Sequence, residues 1–243
     1  MKVLKTTNEK QITAIRSNKG LFYPYSSLFG SENVIPHGWR VPTISDWNTL
    51  ANFVSNDPNT HIIGDTFRKL ISTSDWFINE GMDFYGMNIK PSGKYILDGT
   101  NTFGDITVST YLWVYQTNPL ITSGIPFRYG YPNDPYLGTD IYFANKGYLP
   151  VRLIKEDSIN PGTITDYENN IYDTITIGNQ VWTASNLASK KTNLGNNLIV
   201  SYTDADAAAN VNSLSCIECV FNSNNTFKNI LVTKKNSKLI IIP

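Results

Sequence analysis

Pro36-His37-Gly38-Trp39-Arg40-Val41-Pro42-Thr43-Ile44-Ser45-Asp46-Trp47-Asn48-Thr49-Leu50-Ala51-Asn52-Phe53-Val54 is the stretch on which the fold turns. From Pro42 onward it predicts an amphipathic helix of about three turns. Thr43 can cap the first turn, Asp46 follows as the acidic member of a capping box, and Trp47, Leu50, Ala51 and Val54 recur at i, i+3, i+4 and i+7. A shorter helix is expected over Asp65-Thr66-Phe67-Arg68-Lys69-Leu70-Ile71. The rest is punctuated by Gly, Pro and Asn and reads as short strands and loops, which makes the class α+β.

From Thr107 to Arg152 the chain is dense in aromatics, and the alternation at Tyr111/Trp113/Tyr115 and Phe127/Tyr129/Tyr131 puts each trio on one side of its strand. One side is expected in the core, with the other, or the loops around Pro119, Pro126, Pro132 and Pro135, exposed. Lys155–Gly162 reads as a linker. Beyond it, Ile171–Ile177 and Gln180–Trp182 flank Gly178-Asn179, a turn dipeptide that tolerates positive φ, and form a hairpin. The tail repeats the device, with Phe227–Thr233 and Lys238–Ile242 around Lys234-Lys235-Asn236-Ser237.

The 243 residues allow one large domain or a domain with an appendage, and the 41% hydrophobic content excludes a disordered chain. Charged residues make up only 16%, while 28 Asn and 24 Thr supply an uncharged polar surface. Twenty basic and 20 acidic residues cancel, so no positive field gathers nucleic acid or anionic lipid. No apolar run approaches the roughly 20 residues of a membrane span. Met1–Lys10 lacks an apolar stretch of the kind a signal peptide uses, so export by that route is not expected.

Cys216 and Cys219 are spaced C-x-x-C, but a tetrahedral zinc site needs two more ligands and His37 and His61 are the only histidines. His37 and His61 read as turn and loop residues, and the cysteines as small apolar ones. Asn133, Asp134 and Asp140 offer oxygens to calcium, yet the Glu-Pro-Asn type of calcium motif is missing. No nucleophile–base pair or phosphate loop stands out, so neither an enzyme nor a cofactor is expected. Binding remains. Trp113, Tyr115, Asn118, Tyr129, Tyr131, Asn133, Asp134 and Tyr136 are the candidate ligand-binding residues, because flat amphipathic rings beside amides and carboxylates can stack on sugars or anchor a protein partner.

Pro36–Trp47, then Arg68–Trp76, then Asp83-Phe84-Tyr85-Gly86-Met87-Asn88-Ile89-Lys90-Pro91-Ser92-Gly93, and the closing Gly147–Ile154, resemble the Fibrobacter succinogenes major paralogous domain over roughly residues 19–155. That family opens with a hairpin ending in Ile-Gly-Asn-Gln-x-Trp. Tyr172–Leu187 resembles that opening closely, with Ser185 where Glu is usual, and lies after the rest of the domain. The resemblance implies a permuted C-type-lectin-like domain of mostly short antiparallel strands and long loops with one or two helices, its Trp39, Trp47, Trp76 and Trp182 in the core. The expected division is an arm at 1–16, a body at 17–157, a linker at 158–164, a displaced opening segment at 165–222 and a terminal β-hairpin at 223–243. The displaced segment either completes the body, within the chain or from a neighbouring subunit, or is a truncated second copy.

The expectation for function is a non-enzymatic structural or decoration component of a bacteriophage virion, on head, tail or fibre, assembled in the host cytoplasm and fitting a host of the Bacteroides kind. Its partners are other virion proteins or its own subunits, with host-surface glycan as a further contact and neither nucleic acid nor membrane insertion. The alternative is a bacterial surface carbohydrate-binding or adhesin-like module.

Overall fold

A computed structural model describes residues 19–60, 65–78, 81–97, 102–115, 147–156, 163–201, 204–210 and 212–217, with backbone strands between 123 and 143 and at 230–231 and 240–241. One helix organises the first half. Helix α1 (Ile44–Asn56) starts on the expected capping box: Asp46 N–H donates to Thr43 Oγ1, and the Asp46 carboxylate accepts from the Thr43 N–H at 2.6 Å. Trp47, Leu50 and Val54 form its buried stripe, while Ala51 is half-buried. At the other end Lys69 is fully buried and its Nζ donates to the Val54 carbonyl at 3.0 Å, satisfying an acceptor that the last turn leaves open. Residues 66–70 form turns, not the expected helix. The Leu70 carbonyl accepts from Ile89 N–H and Ser72 N–H donates to the Ile89 carbonyl, so the backbone that would continue a helix is taken by a neighbouring loop.

Two sheets carry the rest. The first is antiparallel, in the order β12 (Thr163–Thr165), β13 (Ile171–Ile177), β14 (Gln180–Thr183), β11 (Ile154–Lys155) and β2 (Trp39–Arg40). The hairpin expected at Gly178-Asn179 is present, with Ile177 opposite Gln180, and Trp182 is aligned with Ile154 of the same chain. Gly178 has φ +60°, and a Cβ there would stand 2.9 Å from Phe53 Cδ2, so the turn lies flat on the outer face of α1. The turn from β12 to β13 is held by Asp166, whose carboxylate accepts from the Glu168 and Asn170 N–H groups. The second sheet runs β1 (Tyr23–Pro24), β10 (Gly147–Leu149), β3 (Lys94–Ile96), β4 (Thr102–Gly104). Strand β5 (Thr110–Leu112) pairs with β7 (Phe127–Tyr129), which pairs with β8 (Gly138–Thr139). Strands β6 (Ser123–Gly124) and β9 (Tyr142–Phe143) form a separate pair, as do β17 (Ile230–Leu231) and β18 (Ile240–Ile241). Parallel strands β15 (Ile199–Ser201) and β16 (Ser215–Ile217) join the body through reciprocal backbone bonds between Ile217 and Phe22.

The segment at 110–114 has no solvent face. Tyr111 and Trp113 enter a core built with Tyr23, Val34, Leu149 and Leu187, whereas Leu112 and Val114 enter another built with Trp47, Trp76, Ile154 and Trp182. The expectation of one exposed side is corrected here: the segment is shared between two cores, so both sets of alternating side chains are buried. Trp47, Trp76 and Trp182 are core residues and Trp39 is partly buried against the second core.

Candidate functional site

The rings of Trp113 and Tyr115 belong to one aromatic run that climbs from core to surface. Trp113 is fully buried, and its indole Nε1 donates to the Tyr23 carbonyl at 2.7 Å. Tyr25 lies against it edge-on, with ring centroids 5.3 Å apart. Phe29 follows at 4.3 Å from Tyr25, and Tyr115, 41% exposed, ends the run at 5.2 Å from Phe29. Trp113 is therefore the buried foot of this site and offers no open ring to a ligand, whereas Tyr115 does. Its position follows from the backbone: Trp113 N–H donates to the Pro150 carbonyl and Tyr115 N–H to the Pro42 carbonyl at 2.8 Å. The chain leaves the scaffold from a clamped point just ahead of α1.

Of the other expected site residues, Tyr129 stands in β7 opposite Thr110. Asn118, Tyr131, Asn133, Asp134 and Tyr136 lie outside the described residues, as do Asp140, His61 and Cys219. His37 is exposed in the turn before β2, and Cys216 is buried in β16. Among the described residues no three His, Cys, Asp or Glu side chains gather as a metal set. Nor is any helix among them long and apolar enough to cross a membrane.

Tyr25 and Phe29 were missed because they sit more than 80 residues from Tyr115 in sequence; the crowding of Phe22, Tyr23, Tyr25 and Phe29 was the available signal. Their loop is fixed by the carboxy-terminal half. Asn193 N–H donates to the Asn33 carbonyl at 2.8 Å, Asn33 N–H returns a bond to Asn193 Oδ1 at 3.1 Å, and Asn193 Nδ2 reaches the Ser31 carbonyl. Glu32 Oε1 accepts from Thr192 Oγ1 at 2.7 Å and Asn196 Nδ2 at 2.9 Å, and these bonds, that from Thr192 first, hold its carboxyl below the ordinary value.

The strongly shifted titratable groups serve packing. Arg152 is fully buried, with Nε on Asn186 Oδ1 at 2.7 Å, Nη1 on the Met87 and Thr183 carbonyls, and Nη2 on the Asn88 carbonyl. Burial pulls its pKa down, and the Asp83 carboxylate opposes that pull. Tyr172 is raised by burial and by its hydrogen bond to Asp166. The arrangement at Tyr25, Phe29 and Tyr115 is chemically one of contact: uncharged rings, rigidly backed, beside a loop rich in amides.

No curated protein and no solved structure matches the chain. The Fibrobacter succinogenes major domain matches it over residues 2–155, well over half of its length. This span holds β2, α1 and every member of the aromatic run, and the chain belongs to the Fibrobacter succinogenes major domain family.

Proposed function

We propose that this chain is a non-enzymatic recognition module with a permuted C-type-lectin-like arrangement, acting as a structural or decoration component of a bacteriophage virion that touches host-surface glycan. The observation that carries the recognition half is the aromatic run from Trp113 through Tyr25 and Phe29 to Tyr115. A binding surface needs flat, preorganised rings whose burial on contact costs little side-chain entropy, and a run anchored in the core provides that. A neutral chain with many Asn and Thr suits a neutral, hydroxyl-rich ligand. The permuted arrangement is supported by the way β13 and β14, late in sequence, stand beside β11 and β2. The second reading, a bacterial surface adhesin-like module, draws on the same rings without a particle around them.

The test has two arms. Glycan-array binding by the full chain is expected to fall at least about tenfold in Tyr115→Ala and in Phe29→Ala. Mass spectrometry of purified particles is expected to find the chain at fixed stoichiometry. Binding unchanged by both substitutions overturns the site, and absence from particles overturns the virion assignment in favour of the adhesin-like module.

A further inference from the structure

The carboxy-terminal arm, residues 163–217, is embedded in the body, residues 19–156, and is tied to it throughout. Trp182 stacks on Trp47 at 4.7 Å and is fully buried, and Ile177 joins the same core. Thr183 N–H donates to the Leu153 carbonyl, Leu187 N–H to the Val151 carbonyl and Leu21 N–H to the Leu187 carbonyl at 3.0 Å. Arg152 of the body is bonded to Asn186 and Thr183 of the arm. Farther along, Ser27 Oγ donates to the Ser215 carbonyl and Tyr148 Oη to the Ala207 carbonyl. A body lacking its arm leaves β11, Trp47 and the Arg152 guanidinium uncovered, and the one segment shaped for that surface is carried by every copy of the chain.

We propose that the body's arm-binding face also takes the arm of a second copy, so that two chains close reciprocally into an exchanged dimer. Every contact named above is remade unchanged in such a pair, because each runs between body and arm and none depends on which chain supplies the arm. Chain order favours the encounter: the body is complete in sequence before the arm begins, so during folding its face stays open to any arm nearby. Protein concentration decides between the two forms, since a short connection holds its own arm at an effective concentration on the order of millimolar. A densely packed assembly reaches that range. The inference stands apart from the virion reading: a chain that exchanges arms but is absent from particles keeps the one and loses the other.

The strand registers give the experiment its geometry. Ile154 is aligned with Trp182 and Ile175, which puts Lys155 level with Thr176, whereas Thr163 is opposite Asp173. From Lys155 to Thr163 the chain must cross three strand spacings and run three residues along, about 17 Å in all. Eight Cα steps reach about 27 Å and suffice; deleting residues 158–161 leaves four, about 13 Å, which cannot close within one chain. The full-length chain carrying that deletion is expected to be a folded dimer by light scattering and circular dichroism, and a folded monomer overturns the proposal. If the deletion chain does not fold, the wild-type chain decides. Refolded at about 1 mM it is expected to give at least ten times the dimer fraction obtained at about 10 µM, persisting for hours after dilution because release requires the core to open. Monomer at both concentrations, or a dimer that dissociates on dilution, overturns the proposal.

Discussion

The two cores on either side of 110–114 are assembled in different ways. The first gathers mostly around one local element: Trp47, Leu50 and Val54 of α1 pack with Phe67, Trp76, Met87 and Ile89, and the arm adds Ile177 and Trp182. The second has no helix and is assembled from distant pieces, with Leu21, Tyr23 and Val34 from one end and Ile164, Tyr172, Leu187, Leu198 and Cys216 from the other. Its cohesion leans on polar ties such as the bonds at Asn33 and Asn193 and that of Tyr23 Oη to the Ser189 carbonyl. The difference teaches that the first core has a local nucleus to grow from, whereas the second exists only once the arm is in place.

Trp182→Ala breaks the comparison most severely, since it removes the arm's largest contribution to the first core and exposes the face of Trp47. A loss of about 3–5 kcal/mol is expected from the urea midpoint. Leu187→Ala in the second core is expected to cost less, about 2–3 kcal/mol, with the amides of the β13–β14 hairpin still protected from exchange. Equal loss of protection in both variants would mean that the cores melt as one unit.

Gly178→Ala is a smaller perturbation of the first core. The left-handed φ and the contact with Phe53 together are expected to cost about 1–2 kcal/mol. In a Phe53→Ala background the contact part disappears and only the backbone part remains, which a double-mutant cycle reads directly.

Acid is the mildest probe. Burial pushes the Asp46 carboxyl up, but hydrogen bonds from Arg40 and Thr43 outweigh it and leave its pKa below the ordinary value. Glu32 is lowered as well. A carboxylate lowered on folding adds stability that is fully present above its unfolded pKa, near 4, and is lost as pH falls through the folded value. Acidification below about pH 4 is therefore expected to raise amide exchange in the first turn of α1 and at 192–196, one site beside each core. Asp46→Asn removes the first response and spares the second.

What the sequence made legible was local. The capping box at Thr43 and Asp46, the stripe at Trp47, Leu50 and Val54, and the turn at Gly178-Asn179 need only neighbouring residues, and each is present. The turns at 66–70 replace a helix because Ile89, some twenty residues away, captures their backbone. Period-two alternation at 111–115 implied one wet face, but alternation cannot report a second core on the far side of a strand. The buried positions of Lys69 and Arg152 likewise depend on carbonyls supplied by distant loops. Half of the aromatic run, Trp113 and Tyr115, was visible as a cluster; Tyr25 and Phe29 join it only through the tertiary fold.

The bond from the Leu21 amide to the Leu187 carbonyl has a topological consequence. It brings the first described strand region against the end of the displaced hairpin, so residues 21–187 trace a nearly closed ring whose seam is a single hydrogen bond. A ring of this kind can be opened elsewhere and rejoined at the seam without altering its interior. Everything after Leu187 is then an annex fastened outside the seam, free to lengthen or diversify while the ring's packing stays as it is.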